Sequence, residues 1–78
     1  MKIVDEISLL VKAHRKESGM SRETLSLLSG IGKTTIYDIE NGKETVQLKS
    51  VLKILDTLNI TLKFESRLRW EGPKFIYT

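Results

Sequence analysis

Residues 21–42 constrain this chain most, because two short apolar segments meet there across a glycine turn only a few residues long. Ser21 is a good N-cap: its hydroxyl can accept from a first-turn N–H that no helical carbonyl reaches, and Met20 stands where a staple residue packs. The helix opened by Ser21 is expected to run to about Leu28, with Leu25 and Leu28 as its buried edge. Gly30 breaks it. Gly32 or Lys33 then opens another helix, with Ile36 and Ile39 on one side, and Asn41-Gly42 closes it with the residue pair best suited to positive φ. Close approach across so short a turn needs a small residue inside the first helix (Ser26), a turn glycine (Gly30) and branched apolar residues inside the second. All of these stand at mutually consistent spacing.

The flanking sequence completes an all-helical core. Ile3, Ile7, Leu10, Val11 and His14 follow a 3.6-residue period over residues 3–17, and Gly19 supplies the stop. A fourth helix is expected from about Val46 or Gln47 to Leu58, with Leu48, Val51, Leu52, Leu55 and Leu58 on its stripe and Ile54 beside it. At Asn59 the period changes to two: Ile60, Leu62 and Phe64 alternate with Thr61, Lys63 and Glu65, which reads as a strand. A lone strand leaves its edges unpaired. Its partner is either residues 74–78, folding back over Glu71-Gly72-Pro73, or the same strand of a second copy. The chain thus divides into a helical domain, residues 1–58, and a strand and tail, residues 59–78. With 78 residues and no cysteine, the core is small and has no disulfide staples, which favours oligomerisation as added stability.

The second helix of the turn motif carries the chemistry. Ile36 and Ile39 face inward, which turns Lys33, Thr34, Tyr37 and Asp38 outward on one face. Side chains of that size let a helix sit in a major groove of double-stranded DNA, where base edges present distinguishable donors and acceptors. Lys33 can donate to guanine O6/N7, Thr34 can hydrogen-bond or offer its methyl to thymine, and Tyr37 can reach a base or a phosphate. Asp38 would be repelled by phosphates unless it accepts from cytosine N4 or pairs with a neighbour. Phosphate contacts are expected from helix N-termini and flanking bases: Ser21, Arg22 and Lys43 first, then Thr35 and Lys49. The net charge of +3 agrees with a polyanionic partner; residues 1–59 carry +1 of it and residues 60–78 carry +2.

The run from Met20 to Gly42, ending Ile36-Tyr37-Asp38-Ile39-Glu40-Asn41-Gly42, resembles the Cro/C1-type (XRE family) DNA-binding domains of lambdoid repressors over roughly residues 5–58. Two positions depart from that pattern: Ser26 stands for the usual alanine, and Gly32 for the usual Ser/Thr cap. The resemblance implies a mainly α fold, a four- to five-helix lambda-repressor-like bundle followed by a short C-terminal strand or hairpin used for dimerisation. It also implies a structural ion pair between Arg15 and Glu40, and a sequence-specific transcriptional regulator, in this case a repressor of its own operon. The strand after the fourth helix is similar to HipB-type antitoxins. That similarity implies a homodimer paired through Ile60, Leu62 and Phe64 on a palindromic operator, and a HipA-like kinase toxin as partner. The basic tail with Trp70, Phe75 and Tyr77 then either docks on that partner or folds back as a second strand. Phage-type or restriction–modification controllers, and an adaptor of the same fold that leaves DNA alone, are the alternatives.

No catalytic or metal site is expected. His14, the single histidine, is assigned to core-edge packing, and Asp5-Glu6 point apart on a helix, so neither a Ser-His-Asp triad nor a carboxylate dyad can form. Clustered His, Cys or carboxylate ligands are missing from the pattern, and no cofactor is expected. No apolar run has signal-peptide or membrane-spanning character, so a cytoplasmic protein is expected.

Overall fold

The computed structural model describes residues 3–64 and 76–77 of the chain. Helices α1 (Ile3–Glu17), α2 (Arg22–Ser29), α3 (Lys33–Glu40) and α4 (Leu48–Thr57) are followed by two short strands, β1 (Leu62–Lys63) and β2 (Ile76–Tyr77). The strands pair antiparallel, Leu62 opposite Tyr77 and Lys63 opposite Ile76. Of the two partners open to β1, the structure pairs it with the tail of its own chain; Glu71-Gly72-Pro73 lies outside the described residues.

Val11, Leu25, Ile36, Ile39, Ile54, Leu55, Leu58 and Ile60 form the core, with Ile7, Met20, Ile31, Val46 and Val51 packed around it. Full burial of each large apolar side chain contributes about 1.5–3 kcal/mol. The stop after α4 explains why the core reaches past the helices. Asn59 takes a left-handed φ of 59°, its N–H donates to Asp56 O at 3.0 Å, and the Ile60 N–H donates to Leu55 O at 2.8 Å. This double closure carries the next apolar residue back onto the helix. Ile60, expected to start the strand, therefore belongs to the helical core, and the strand covers only residues 62–63.

Four further expectations are corrected. On α1, Ile3 and Leu10 are exposed, and so is His14, whose Nδ1 lies 2.9 Å from Leu10 O. The inward line is Ile7, Ser8, Val11 and Arg15 instead, because the two polar members have partners on α3. On α2, Leu28 is exposed and Ser29 is buried; the Ser29 hydroxyl donates to Leu25 O and accepts from Ile31 N–H. On α4, Leu48 is exposed at the first turn while Ile54 is fully buried. At the Asn41-Gly42 pair only Gly42 takes a positive φ. In α1, α2 and at the start of α4, counting apolar residues alone misplaced part of the inward face.

Candidate nucleic-acid interface

The α2–α3 elbow is built from backbone closures and two serine hydroxyls. The Ser21 hydroxyl accepts from Thr24 N–H at 3.1 Å, capping α2. Gly30 ends it at a φ of 75°, with its N–H on Ser26 O, a conformation that costs a side-chain-bearing residue roughly 1–2 kcal/mol. Ser26, where an alanine would only make room, donates its hydroxyl to Ile31 O at 2.6 Å. The Ile31 N–H donates to Ser29 Oγ at 3.1 Å, so both polar groups of the turn residue are held. Gly32 then caps α3 with no side-chain acceptor.

The far end of α3 is held by one buried carboxylate. Glu40, with 1% of its side chain exposed, accepts from Arg15 Nε at 2.6 Å and Arg15 Nη2 at 3.0 Å. Arg22 Nε reaches the same Oε1 at 3.2 Å. Arg15 Nη1 donates to Met20 O at 2.9 Å, and the Ser8 hydroxyl donates to the Glu40 carbonyl. Burial pushes the Glu40 carboxyl upward, but the hydrogen bonds and charge of Arg15, reinforced by Arg22, outweigh it and hold the group below its ordinary value. The Glu40 hydrogen bond raises Arg15 against the opposing pull of burial. The structure thus brings Arg15 and Glu40 together as a two-point, mostly dry ion pair.

Between these two anchors, α3 buries Ile36 and Ile39 and turns Lys33, Thr34 and Tyr37 outward, all exposed. They line an open groove of about 530 Å³ together with Arg15, Ser21, Arg22 and Glu23. Lys33 Nζ lies 3.5 Å from Glu23 Oε1, both largely exposed. Asp38, half-buried, sits 3.5 Å from Lys43 Nζ, which gives the carboxylate the neighbour its position calls for. Exposed pairs of this length are worth about 0–1 kcal/mol and yield readily to a better partner. Arg22 is not a free surface cation, since its guanidinium lies 5.2 Å from the centre of the Tyr37 ring. Thr35, Asp38 and Lys43 line a second, smaller groove with Thr45, Gln47 and Ser50. Lys49 is exposed on α4 and lines neither.

Of the residues expected to pair copies of the chain, Ile60 is buried in its own core, Leu62 is half-buried and Phe64 is exposed. Trp70 and Phe75 lie outside the described residues, and Tyr77 falls in β2. Sequence reasoning missed the contacts of Arg22 with Glu40 and Tyr37, the Ser8 bond and the Glu23–Lys33 pair. Each joins residues ten or more positions apart, where no local spacing signals them. Among the described residues there is no group of three potential metal ligands, and no helix long and apolar enough to cross a membrane.

Comparison with known proteins agrees with this geometry. In solved structures, HipB in its complex with an O2 20mer shares the fold at a TM-score of 0.76 and 22% identity, covering 87% of this chain and 94% of that one. HipB in the HipA-HipB-O2-O3 complex matches equally well. The restriction-modification controller protein C.Esp1396I, solved as a tetramer on its natural 35 base-pair operator, gives a TM-score of 0.67 at 28% identity, over 77% of this chain and 79% of that one. The uncharacterized HTH-type transcriptional regulator y4mF of Sinorhizobium fredii (strain NBRC 101917 / NGR234) is 37% identical over 57 residues, 73% of this chain and 75% of its own. Residues 11–64 match the helix-turn-helix family model. The chain belongs to the helix-turn-helix family of DNA-binding transcriptional regulators.

Proposed function

We propose that this protein is a cytoplasmic homodimer that reads a palindromic operator in double-stranded DNA, represses its own operon and serves as the antitoxin of a HipA-like kinase toxin. The observation that carries the DNA reading is the outward face of α3: Lys33, Thr34 and Tyr37 stand exposed at one groove, on a helix anchored at its far end through a buried carboxylate. In this reading α3 enters the major groove, where Lys33, Thr34, Tyr37 and Asp38 meet base edges. Ser21, Arg22, Thr35, Lys43 and Lys49 meet phosphates on either side. Asp38 exchanges Lys43 for a cytosine amino group, which frees Lys43 for the backbone.

Dimerisation uses the β1 segment. Among the described residues the sheet has two strands, so β1 keeps an edge that no strand covers, beside the exposed Phe64. Pairing there across a two-fold axis, through Leu62 and Phe64 with Ile60 held by its own core, sets two α3 helices about 34 Å apart, one turn of B-DNA. With Tyr77 held in β2 opposite Leu62, the part of the tail carrying Trp70 and Phe75 meets the toxin. The fold shared with HipB, solved in a HipA-HipB-O2-O3 complex, supports this reading. The second reading, a restriction–modification controller, rests on C.Esp1396I at 28% identity.

Selection from a randomised duplex pool, followed by anisotropy titration and sedimentation, tests the proposal. The expected result is a palindrome with half-sites one helical turn apart, bound by a dimer with strong salt dependence. Failure to enrich any duplex removes the DNA reading. A monomer at micromolar concentration that still binds its duplex tightly removes the dimer. A kinase-like neighbour in the operon, captured by the full chain and lost on deleting residues 67–78, supports the antitoxin role; a neighbouring endonuclease favours the controller.

A further inference from the structure

Arg22 blurs the division between residues that hold the fold and residues that face DNA. Arg15 alone already covers both oxygens of Glu40, at 2.6 and 3.0 Å, so the buried charge is balanced without a second cation. Arg22 nevertheless places its Nε 3.2 Å from Oε1 and its guanidinium carbon 5.2 Å from the Tyr37 ring centre. Its side chain is 35% exposed, and its two Nη nitrogens enter no hydrogen bond among the described residues. A guanidinium is flat and weakly hydrated, so it can offer an edge to a carboxylate and a face to an aromatic ring together. A lysine ammonium is a hydrated point charge and cannot do both. Tyr37 is the largest side chain on the outward face of α3 and is half exposed, so what touches its ring decides where the phenol oxygen points.

We propose that Arg22 is a positioning residue for base reading: clamped at one edge by Glu40, it lies against the Tyr37 ring and fixes the direction of the phenol. Discrimination at the base pair that Tyr37 reaches then depends on a side chain that itself touches no base. This rests on the DNA reading given above. The arrangement connects the buried ion pair to the reading surface in three steps, Arg15 to Glu40 to Arg22 to Tyr37. It leaves the Arg22 Nη groups able to meet a phosphate in the same pose, so one side chain both tethers the backbone and aims a neighbour.

The test compares Arg22→Lys, Tyr37→Leu and the double variant on a duplex selected by the parent protein from a pool randomised over two helical turns. Single-base-pair variants of that duplex are included. Arg22→Lys keeps the charge and, with Arg15–Glu40 intact, should keep the fold, which a thermal melt checks. The expected result is a fall of roughly five- to tenfold in preference at one base pair, the scale of a single good base contact, with preferences elsewhere within about twofold. Tyr37→Leu should lose preference at the same base pair, and adding Arg22→Lys to it should remove nothing further there. In the free protein, the Arg22 Nε–H resonance should be shifted by the ring current and should move when Tyr37 becomes Leu. Equal loss at every base pair, additive losses in the double variant, or an unmoved resonance overturns the proposal while leaving DNA reading intact. A pool that yields no preferred duplex overturns the DNA reading and this proposal with it.

Discussion

Replacing Glu40 with glutamine keeps the shape of the side chain and removes the charge that three nitrogens share. In the parent, Arg15 is 9% exposed and Glu40 1% exposed along their side chains, so neither can turn to water. The amide keeps one acceptor but presents an N–H2 where Arg15 donates, which sets donor against donor. Breaking a buried pair by neutralising one partner costs about 3–5 kcal/mol, and the surviving acceptor puts this case near 3 kcal/mol. A chain of this size has a total stability of about 4–12 kcal/mol. A loss near 3 kcal/mol then lowers the melting temperature by roughly 12–24 °C. Thermal unfolding followed by circular dichroism is the assay, with all variants at one fixed protein concentration because any self-association makes the melting temperature concentration-dependent. Arg15→Met combined with Glu40→Leu supplies the control: with both charges gone, stability should recover most of the loss, and half-exposed Arg22 can turn to solvent. A Glu40→Gln melt within about 2 °C of the parent would refute the reasoning, and so would a double variant as unstable as the single one.

Acid titration reads the same pair. The folded Glu40 carboxyl sits below its unfolded value, so its contribution is present above about pH 4.3 and is lost as pH falls through the folded value; Glu40→Gln should flatten stability in that window. Gly30→Ala should cost about 1 kcal/mol in urea unfolding, since nothing crowds a Cβ there and only the left-handed backbone resists it. Leu28→Lys should leave stability within about 0.5 kcal/mol of the parent, as expected of an exposed site; a larger loss would mean that Leu28 is covered. Lys33→Ala should cost about 1–3 kcal/mol in binding and relax sequence preference, whereas Lys43→Ala should weaken all duplexes alike and reduce the salt slope by about one. Equal weakening of selected and random DNA by both would remove Lys33 from base reading.

The elbow was legible because its signals are local. Ser21, Gly30 and the Asn41-Gly42 pair each announce a helix end through backbone chemistry within a few residues. The direction in which each helix faces was less legible. Ser8 and Arg15 are inward-facing on α1 because Glu40, far away in sequence, receives both, and an apolar count assigned their side of the helix to His14 and Leu10. Ile60 shows the same limit at a boundary: its alternation with Leu62 reads as strand, yet the left-handed Asn59 folds it back onto α4. The outward position of Lys33, Thr34 and Tyr37 on α3 follows from Ile36 and Ile39 alone, whereas Asp38, expected beside them, is half-buried and lines the other groove. Arg22 was legible only as a candidate phosphate contact, because its ring partner and its carboxylate stand fifteen and eighteen positions downstream.

The carbonyl and the carboxylate of one residue receive Ser8 and Arg15 from α1 and Arg22 from α2. Helix α3, about 12 Å long, is therefore pinned at its rear by helices that never need to approach a base. A tilt of about 5° about that pin swings the forward end by about 1 Å, a large fraction of a hydrogen-bond length. On the DNA reading proposed above, substitutions at the buried Ser8 would then surface as altered sequence preference, and a genetic screen would recover a position that itself touches no base.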